Sequence, residues 1–263
     1  MSVLTERISP VSALRLRMEI HSCPLSLQPC GFYIHILMKV KFNVCCLYSL
    51  TRCKIDIKIT KIENGPFSEN AWIVADLNTH ECVLIDPGDD ADKIAASINR
   101  QKLNLKCVLA THGHLDHIGA VDELASTYHV PFRIHSKDES LVQGLTQYQR
   151  MFGLPESKVP TISGYISDRE NFTCGQIDIE VIETPGHTLG GVCFKIGHHL
   201  FAGDTLFHGS VGRTDLPGGD QTSLISSIKS KLLVLPENTV VHCGHGPDTT
   251  IGNEQRNNPF LKQ

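Results

Sequence analysis

Three histidines and one aspartate lie within seven consecutive residues of this chain, in the motif Thr-His-Gly-His-Leu-Asp-His at 111–117. Imidazole nitrogens and carboxylate oxygens suit zinc, iron or manganese. Because a tight loop can turn alternate residues toward one point, His112 and His114 are predicted to bind one metal ion. Asp116 and His117 would then face a second ion, as in hydrolases that hold two metals. The other interpretation, histidines that bond only to the backbone of a polar loop, leaves this density of ligands unexplained.

Further ligands are needed, because two metal ions that keep an exchangeable water take about seven protein ligands and the motif supplies four. Three later positions repeat one pattern, in which an apolar strand ends in small residues and a metal-binding side chain follows. They are His187, Asp204 and His245. A carboxylate has two oxygens, so Asp204 could bridge two ions.

The elements that position these residues are predicted from apolar runs and the residues that interrupt them. Strands are expected at Lys106–Ala110 and Ile177–Ile182, and in the runs His199–Asp204 and Thr239–Gly246, which end on Asp204 and on the glycine-flanked His245. A helix is expected from Asp116. Further strands are expected at Ile55–Thr60, Ala71–Ala75 and Cys82–Ile85. Helices are expected from an Asp89-Asp90 cap through Arg100, and from an Asp220 cap through Leu235 before Pro236. This alternation indicates an α/β fold.

The complete ligand pattern, His112-x-His114-x-Asp116-His117 followed by His187, Asp204 and His245, resembles the metallo-β-lactamase superfamily. The resemblance covers residues 55–263. Four further segments are similar to the glyoxalase II branch, the hydroxyacylglutathione hydrolases. They are the Asn70 region, Ile85–Gly88, Thr184–Thr188 and Gly203–Phe207.

The resemblance implies a four-layered αββα sandwich that binds two divalent metal ions, zinc in first place with iron or manganese as alternatives. It assigns His112, His114 and His187 to the first ion, Asp116, His117 and His245 to the second, and Asp204 to both. Zinc lowers the pKa of bound water to about 7. The expected activity is therefore hydrolysis by a metal-bridging hydroxide that Asp116 orients, with a thioester such as S-D-lactoylglutathione as substrate. Lactones and carboxylic esters stay open as alternatives.

The chain departs from the better-known glyoxalase II enzymes after His245, where eighteen residues follow. Those enzymes carry a helical C-terminal domain that supplies basic residues to glutathione. The short single-domain bacterial type is therefore more similar, and glutathione binding stays open. Arg213, in the glycine-rich segment after Asp204, is a candidate for binding a substrate carboxylate. The alternative is a surface ion pair with Asp215.

Two rival activities are known for proteins that this chain resembles. A persulfide dioxygenase binds one iron through two histidines and one aspartate and is similar in the turn Gly212–Asp215, but the complete second set of ligands argues against it. A di-iron electron-transfer protein of this fold works beside a flavin domain, and no such domain is recognised in the sequence.

The other histidines are expected to be structural: His21, His35, His80, His129, His135, His198, His199 and His208. His242 is expected to be a core residue, with a supporting contact to a metal ligand as the alternative. Cys243, two residues from His245, is not predicted to bind metal. Asp86 either orients a ligand histidine or belongs to an Asp-Pro-Gly turn.

The segment 136–164 carries apolar residues at near-helical spacing, namely Tyr148, Met151, Phe152 and Leu154. The preferred interpretation is a helix that packs on the core. The alternative is a lid over the metals, hinged at Gly144, Gly153 and Pro155.

Composition sets the remaining expectations. The 263 residues are 41% hydrophobic, which supports a substantial core, and the net charge of −4 gives no attraction to nucleic acid. The expected partner is a small-molecule substrate, with neither nucleic acid nor membrane, in the cytoplasm. The ten cysteines show no disulfide framework. Residues 1–54 carry a charge of +5 and are predicted to be an extension before the hydrolase domain 55–263. They are either a mis-assigned start, with Met38 the true one, or an organellar targeting segment.

Overall fold

A computed structural model describes residues 56–262 of the protein. The predicted extension 1–54, with its two interpretations, lies outside the described residues, as does Ile55 at the start of the first predicted strand. Within residues 56–262, none of the helices is both long and apolar enough to span a lipid bilayer.

The described chain alternates strands and short helices. Its first half contains β1 (Ile57–Asn64), β2 (Glu69–Asp76), β3 (Glu81–Ile85), α1 (Ala91–Arg100), β4 (Asn104–Leu109), α2 (Leu115–Ile118), α3 (Val121–Tyr128) and β5 (Phe132–His135). A 3-10 turn (Ser136–Asp138) leads to α4 (Glu139–Gln143), α5 (Leu145–Met151), β6 (Gly164–Ile166), β7 (Asn171–Cys174), β8 (Ile177–Glu183), β9 (Val192–Ile196) and β10 (His199–Gly203). The chain ends with β11 (Leu206–Phe207), β12 (Ser210–Val211), α6 (Gln221–Ser227), a π-helical turn (Ile228–Leu232), β13 (Val240–Cys243), β14 (Thr249–Thr250) and α7 (Ile251–Asn257).

Two six-stranded sheets pack against each other, with strand orders β1-β2-β3-β4-β5-β6 and β14-β13-β10-β9-β8-β7. The period-2 alternation of each strand divides its side chains between two cores. In β2, Ala71 and Ile73 contact the helices on the outer side, whereas Trp72 and Val74 face the second sheet. In β10, Phe201 points inward. The helices cover both outer faces, which confirms the predicted αββα sandwich.

Strand direction brings the loops that carry the predicted ligands to one edge. In the first sheet β3, β4 and β5 run parallel. In the second sheet β8 and β10 are each antiparallel to β9, and β10 is parallel to β13. The carboxyl ends of β8, β10 and β13 therefore point the same way, and His187, Asp204 and His245 follow them.

Helix capping differs from the sequence prediction in one place. Asp220 caps α6 as predicted, because its carboxylate accepts a 2.6 Å hydrogen bond from the Ser223 amide. Asp90 does not cap α1 through its side chain; it adopts a left-handed conformation with φ of 49°. Its carboxylate instead accepts a hydrogen bond from the Gly65 amide.

One disulfide lies within the described residues, where the sequence showed no disulfide framework. Cys107 of β4 and Cys174 of β7 are bonded across the two sheets, 67 residues apart in sequence. Among the described residues Cys82, Cys193 and Cys243 are free and buried. The pairing was not visible in the sequence because it depends on how the two sheets stack.

Candidate metal centre

All seven side chains that the sequence singles out converge at one edge of the sandwich. The motif 111–117 follows β4, and the other three ligand loops follow β8, β10 and β13. These loops are held to one another by backbone hydrogen bonds. The Val192 amide donates to the Thr111 carbonyl at 2.9 Å, and the Gly244 amide donates to the Gly203 carbonyl at 2.9 Å.

The first group consists of three imidazoles. Nε2 of His187 lies 3.2 Å from Nε2 of His112 and 2.9 Å from Nδ1 of His114. The other ring nitrogen of His187 donates to the carbonyl of Arg213 at 2.7 Å. Since a carbonyl only accepts, Nδ1 carries the proton of a neutral His187 ring, and the lone pair of Nε2 is directed at the other two rings.

The second group combines a carboxylate with two imidazoles. Oδ2 of Asp116 lies 3.3 Å from Nε2 of His245 and 4.0 Å from Nε2 of His117. Nδ1 of His245 donates to the carbonyl of Phe67 at 3.1 Å, so Nε2 of this ring is also the unprotonated nitrogen in the neutral form.

Asp204 stands between the two groups and offers one oxygen to each. Its Oδ2 lies 3.7 Å from Nε2 of His187, and its Oδ1 lies 3.3 Å from Nε2 of His117. The same Oδ1 is 3.6 Å from Nε2 of His245. Gly244 makes this approach feasible, because a Cβ at this position would lie 2.3 Å from Oδ1 of Asp204.

The residues present fit two divalent cations. Nε2 of His117 and Oδ1 of Asp204 are buried and have no hydrogen-bond partner, a costly arrangement for polar atoms unless a cation binds them. Of four groups of potential ligand atoms within 4.8 Å of one another among the described residues, three consist only of the seven predicted side chains. They are His112-His114-His187, His112-His117-Asp204 and Asp116-His117-His245. Nitrogen and oxygen donors without thiolate suit zinc, iron or manganese.

The electrostatics of the centre separate its histidines into two kinds. Burial and the neighbouring His187 together lower the pKa of His114 to about 4. Burial would also lower the pKa of His117, but the carboxylates of Asp204 and Asp116 outweigh it and raise that pKa well above its usual range. Burial would raise the pKa of Asp204, yet His117 and His187 hold it far below the usual range. Asp204 is therefore an anion at neutral pH.

Several buried residues hold the ligands in place. Asp86 accepts hydrogen bonds of 2.7 Å from both the amide and the hydroxyl of Thr111, and its Oδ2 lies 3.1 Å from Nδ1 of His117. Of the two interpretations of Asp86, the contact with a ligand histidine is therefore the one observed. The side-chain amide of Asn70 donates to the carbonyls of Cys243 and Gly246, on either side of the His245 loop.

Two supporting carboxyl groups were missed in the sequence. Asp138 is fully buried and bonds to both ligand loops of the first group. Glu69 is also buried; its Oε1 lies 3.7 Å from Nδ1 of His117, and burial raises its pKa well above the usual range. Neither residue has a local spacing signal, since each contacts the centre only through the folded chain.

The other histidines within residues 56–262 lie apart from these seven. His135 contacts Glu183 at 2.9 Å. His242 lies between Asp248 at 2.8 Å and His199 at 3.0 Å, and stacks on Phe201. It is thus a core residue, as expected. The side chain of Cys243 packs in the outer apolar cluster of the second sheet, away from the ligands.

An open cavity of about 280 Å³ lies above the centre. The segment 136–164 supplies one wall, and here the preferred sequence interpretation is only half right. Val142 and Leu145 pack in the core, but Met151 and Phe152 are 71% and 58% exposed at the cavity. Arg213 also lines the cavity, with its guanidinium paired to Asp215 through two bonds of 2.7 Å.

Comparisons with known proteins agree with this geometry. The hydroxyacylglutathione hydrolase GloC of Haemophilus influenzae is 40% identical over 205 residues, covering 74% of this chain and 93% of that protein. The crystal structure of the B3 metallo-β-lactamase BLEG-1 is 38% identical with a TM-score of 0.74, covering 78% of this chain and 100% of that one. The structure of TTHA1623 in a di-iron-bound form is 40% identical with a TM-score of 0.70, covering 77% of this chain and 100% of that one.

The family model of the metallo-β-lactamase superfamily matches residues 64–245, which run from the end of β1 to the last residue of the centre. The sandwich and the convergent ligand loops are the features that this match spans. The chain belongs to the metallo-β-lactamase superfamily.

Proposed function

We propose that this chain is a dinuclear metal-dependent hydrolase that cleaves thioesters, in the manner of a hydroxyacylglutathione hydrolase. The observation that carries the proposal is the position of Asp204, whose two oxygens face different groups of ligands at 3.3 to 3.7 Å. In the proposed assignment His112, His114 and His187 would hold the first ion. Asp116, His117 and His245 would hold the second, and Asp204 would contribute to both.

Two divalent cations held there would supply Lewis acidity and lower the pKa of water. The chain's own contribution is to orient the reactants. Burial would raise the pKa of Asp116, but His117 and the contact with His245 outweigh it and lower that pKa. Asp116 is thus ionised at neutral pH, and its carboxylate can accept a proton of the attacking water and fix its direction.

The proposed reaction is simple hydrolysis. The oxygen of water bonds to the carbonyl carbon, and the carbon–sulfur bond breaks with its electron pair leaving on sulfur. The products are a carboxylate, a thiol and one proton. A thiolate leaves without prior protonation, so this reaction needs no general acid beside the sulfur, and no serine or cysteine nucleophile is required.

Two comparisons support the proposal. GloC is named as a hydroxyacylglutathione hydrolase and shares 40% identity over nearly its whole length. TTHA1623 was crystallised with two irons. Zinc is proposed in first place. Iron and manganese are the alternatives, because histidine and aspartate sites accept several metals.

The test combines metal analysis with a substrate panel. The purified protein is expected to contain two metal ions per chain and to hydrolyse S-D-lactoylglutathione faster than carboxylic esters, lactones or a β-lactam. His245→Ala should leave about one ion per chain and abolish turnover. The matched control is His198→Ala, which truncates an exposed histidine in the turn between β9 and β10. It should preserve the metal content and the turnover of the wild-type protein.

Each other outcome points elsewhere. Two bound ions without thioester turnover would contradict the proposed substrate class, and faster turnover of a lactone or ester would replace it. A single iron per chain, with oxygen consumption on a persulfide, would identify a dioxygenase instead.

A further inference from the structure

The cavity above the metal centre has a polar floor and apolar walls. His114, Asp116, His187 and Asp204 form part of its floor. The walls come from three separate parts of the chain: the loop after β1, helices α4 and α5, and the segment after Arg213. Their apolar members are Phe67, Leu141, Tyr148, Met151, Phe152 and Leu216. A ligand bound at the floor therefore has to extend along apolar side chains.

Three of these side chains are unusually exposed for their type. Met151 is 71% exposed, Phe152 58% and Phe67 38%. Phe67 and Phe152 meet edge to face with their ring centroids 5.6 Å apart, so the loop after β1 and the end of α5 form one apolar rim. Grouped exposed apolar side chains beside a polar site mark a place where apolar surface is buried on binding.

The cavity lacks what a strongly anionic ligand would need. Among its described lining residues, Arg213 is the one lysine or arginine. Asp215 already neutralises that guanidinium through two bonds of 2.7 Å. Glutathione carries two carboxylates and one ammonium group at neutral pH. A site that recognises it is expected to present cationic groups to those carboxylates, and arginine normally does so with both of its terminal nitrogens free.

We infer that the cavity binds an uncharged apolar group, aryl or alkyl, attached to the thioester carbonyl or to its sulfur. This inference rests on the proposed function, because the metal centre has to hold the carbonyl while the apolar group occupies the cavity. Burial of that group against the rim supplies the binding free energy. The preferred substrate is thus a neutral apolar thioester, with the glutathione thioester a poorer one.

The test uses two pairs of substrates that differ in one group each. S-D-lactoyl benzylmercaptan against S-D-lactoylglutathione probes the sulfur side. S-phenylacetyl against S-D-lactoyl N-acetylcysteamine probes the acyl side. In at least one pair the apolar member is expected to have a kcat/KM about tenfold higher, mainly through KM. The double variant Met151→Ser/Phe152→Ser should remove this preference.

Val234→Ser is the matched control, since Val234 is 72% exposed and does not line the cavity. It should retain the preference. A second measurement needs no turnover: a neutral naphthalene fluorophore is expected to bind the protein, and the double variant should bind it about tenfold more weakly.

The outcomes separate this inference from the proposed function. If the apolar member is preferred in neither pair, the inference is overturned while thioester hydrolysis stands. If no thioester is hydrolysed, the proposed function fails. Fluorophore binding then tests independently whether the cavity binds an apolar group. Binding that is unchanged in the double variant would then refute the apolar site.

Discussion

The carboxylate of Asp138 accepts a 2.9 Å hydrogen bond from the backbone amide of Gly113, the residue between His112 and His114. The same carboxylate accepts 2.8 Å and 2.7 Å bonds from Thr188 and Gly190 in the loop after His187. One buried anion thus ties together the two loops that carry the first group of ligands. The separation of those ligands depends on a side chain that touches none of them.

Asp138→Asn is therefore expected to weaken binding of the first metal ion. An amide cannot satisfy all three donors, because either orientation places its NH₂ against a backbone N–H of Gly113 or Gly190. Loss of such supporting contacts typically lowers metal affinity by about 10–100-fold. Competition with a chromogenic chelator measures this affinity directly.

The control for this variant is Asp92→Asn, at an exposed position in the first turn of α1. It removes the same charge far from the ligands and should leave both affinities unchanged. Asp138→Asn with wild-type affinity for both ions would show that the loops keep their geometry without the carboxylate.

Asp86→Asn should produce the complementary effect on the second ion. Asp86 lies 3.1 Å from Nδ1 of His117, so its negative charge holds that ring with Nε2 directed at the centre. The substitution is backbone-compatible, because asparagine tolerates the φ of 52° found here. The second ion is expected to bind about 10–100-fold more weakly, with a smaller loss for the first, because Asp86 also bonds to Thr111 beside His112. Loss of both ions in equal measure, in stepwise metal titrations, would contradict a selective role.

The strands and the candidate ligands were predictable because both leave local signals. The alternation of β2 and β10 fixes which side chains face each core, and the density of histidines in 111–117 points to metal by residue type alone. Asp138 and Glu69 leave no such signal. Their contacts join segments that are brought together only when parallel strands align their carboxyl ends at one edge.

Two contacts that the sequence did not predict have the same origin. The carboxylate of Asp90 is engaged by the Gly65 amide, a partner 25 residues away, so the local capping rule does not apply. Cys107 and Cys174 pair because β4 and β7 lie in stacked sheets, and spacing in the sequence carries no trace of that stacking. Local chemistry was thus predictable, whereas contacts between segments distant in sequence were not.

Asp220→Ala should destabilise the fold in a pH-dependent manner. Asp220 caps α6, and hydrogen bonds from the Ser223 side-chain and backbone groups lower its pKa below the usual value. Because the pKa is lower in the folded state, the carboxylate stabilises the fold at pH values above its unfolded pKa of about 3.9. This contribution is lost as pH falls through the folded pKa. The variant is expected to lower Tm by about 2–4 °C at pH 7. The difference from wild type should shrink below about pH 4, and a difference independent of pH would exclude the carboxylate as its cause.

Arg213 provides the sharpest test of how charge is used in the cavity. Its guanidinium is paired with Asp215, and exposed ion pairs of this kind contribute little to stability. Arg213→Ala should therefore change KM equally for a glutathione thioester and for a neutral thioester, by less than about fivefold. The informative partner variant is Asp215→Ala, which leaves the guanidinium free beside the metal centre. It is expected to lower KM for the anionic thioester alone, because a bidentate carboxylate site has been released. If Arg213→Ala raises KM selectively for the glutathione thioester, the guanidinium leaves Asp215 and pairs with a substrate carboxylate. The cavity would then bind a charged substrate group, contrary to the inference.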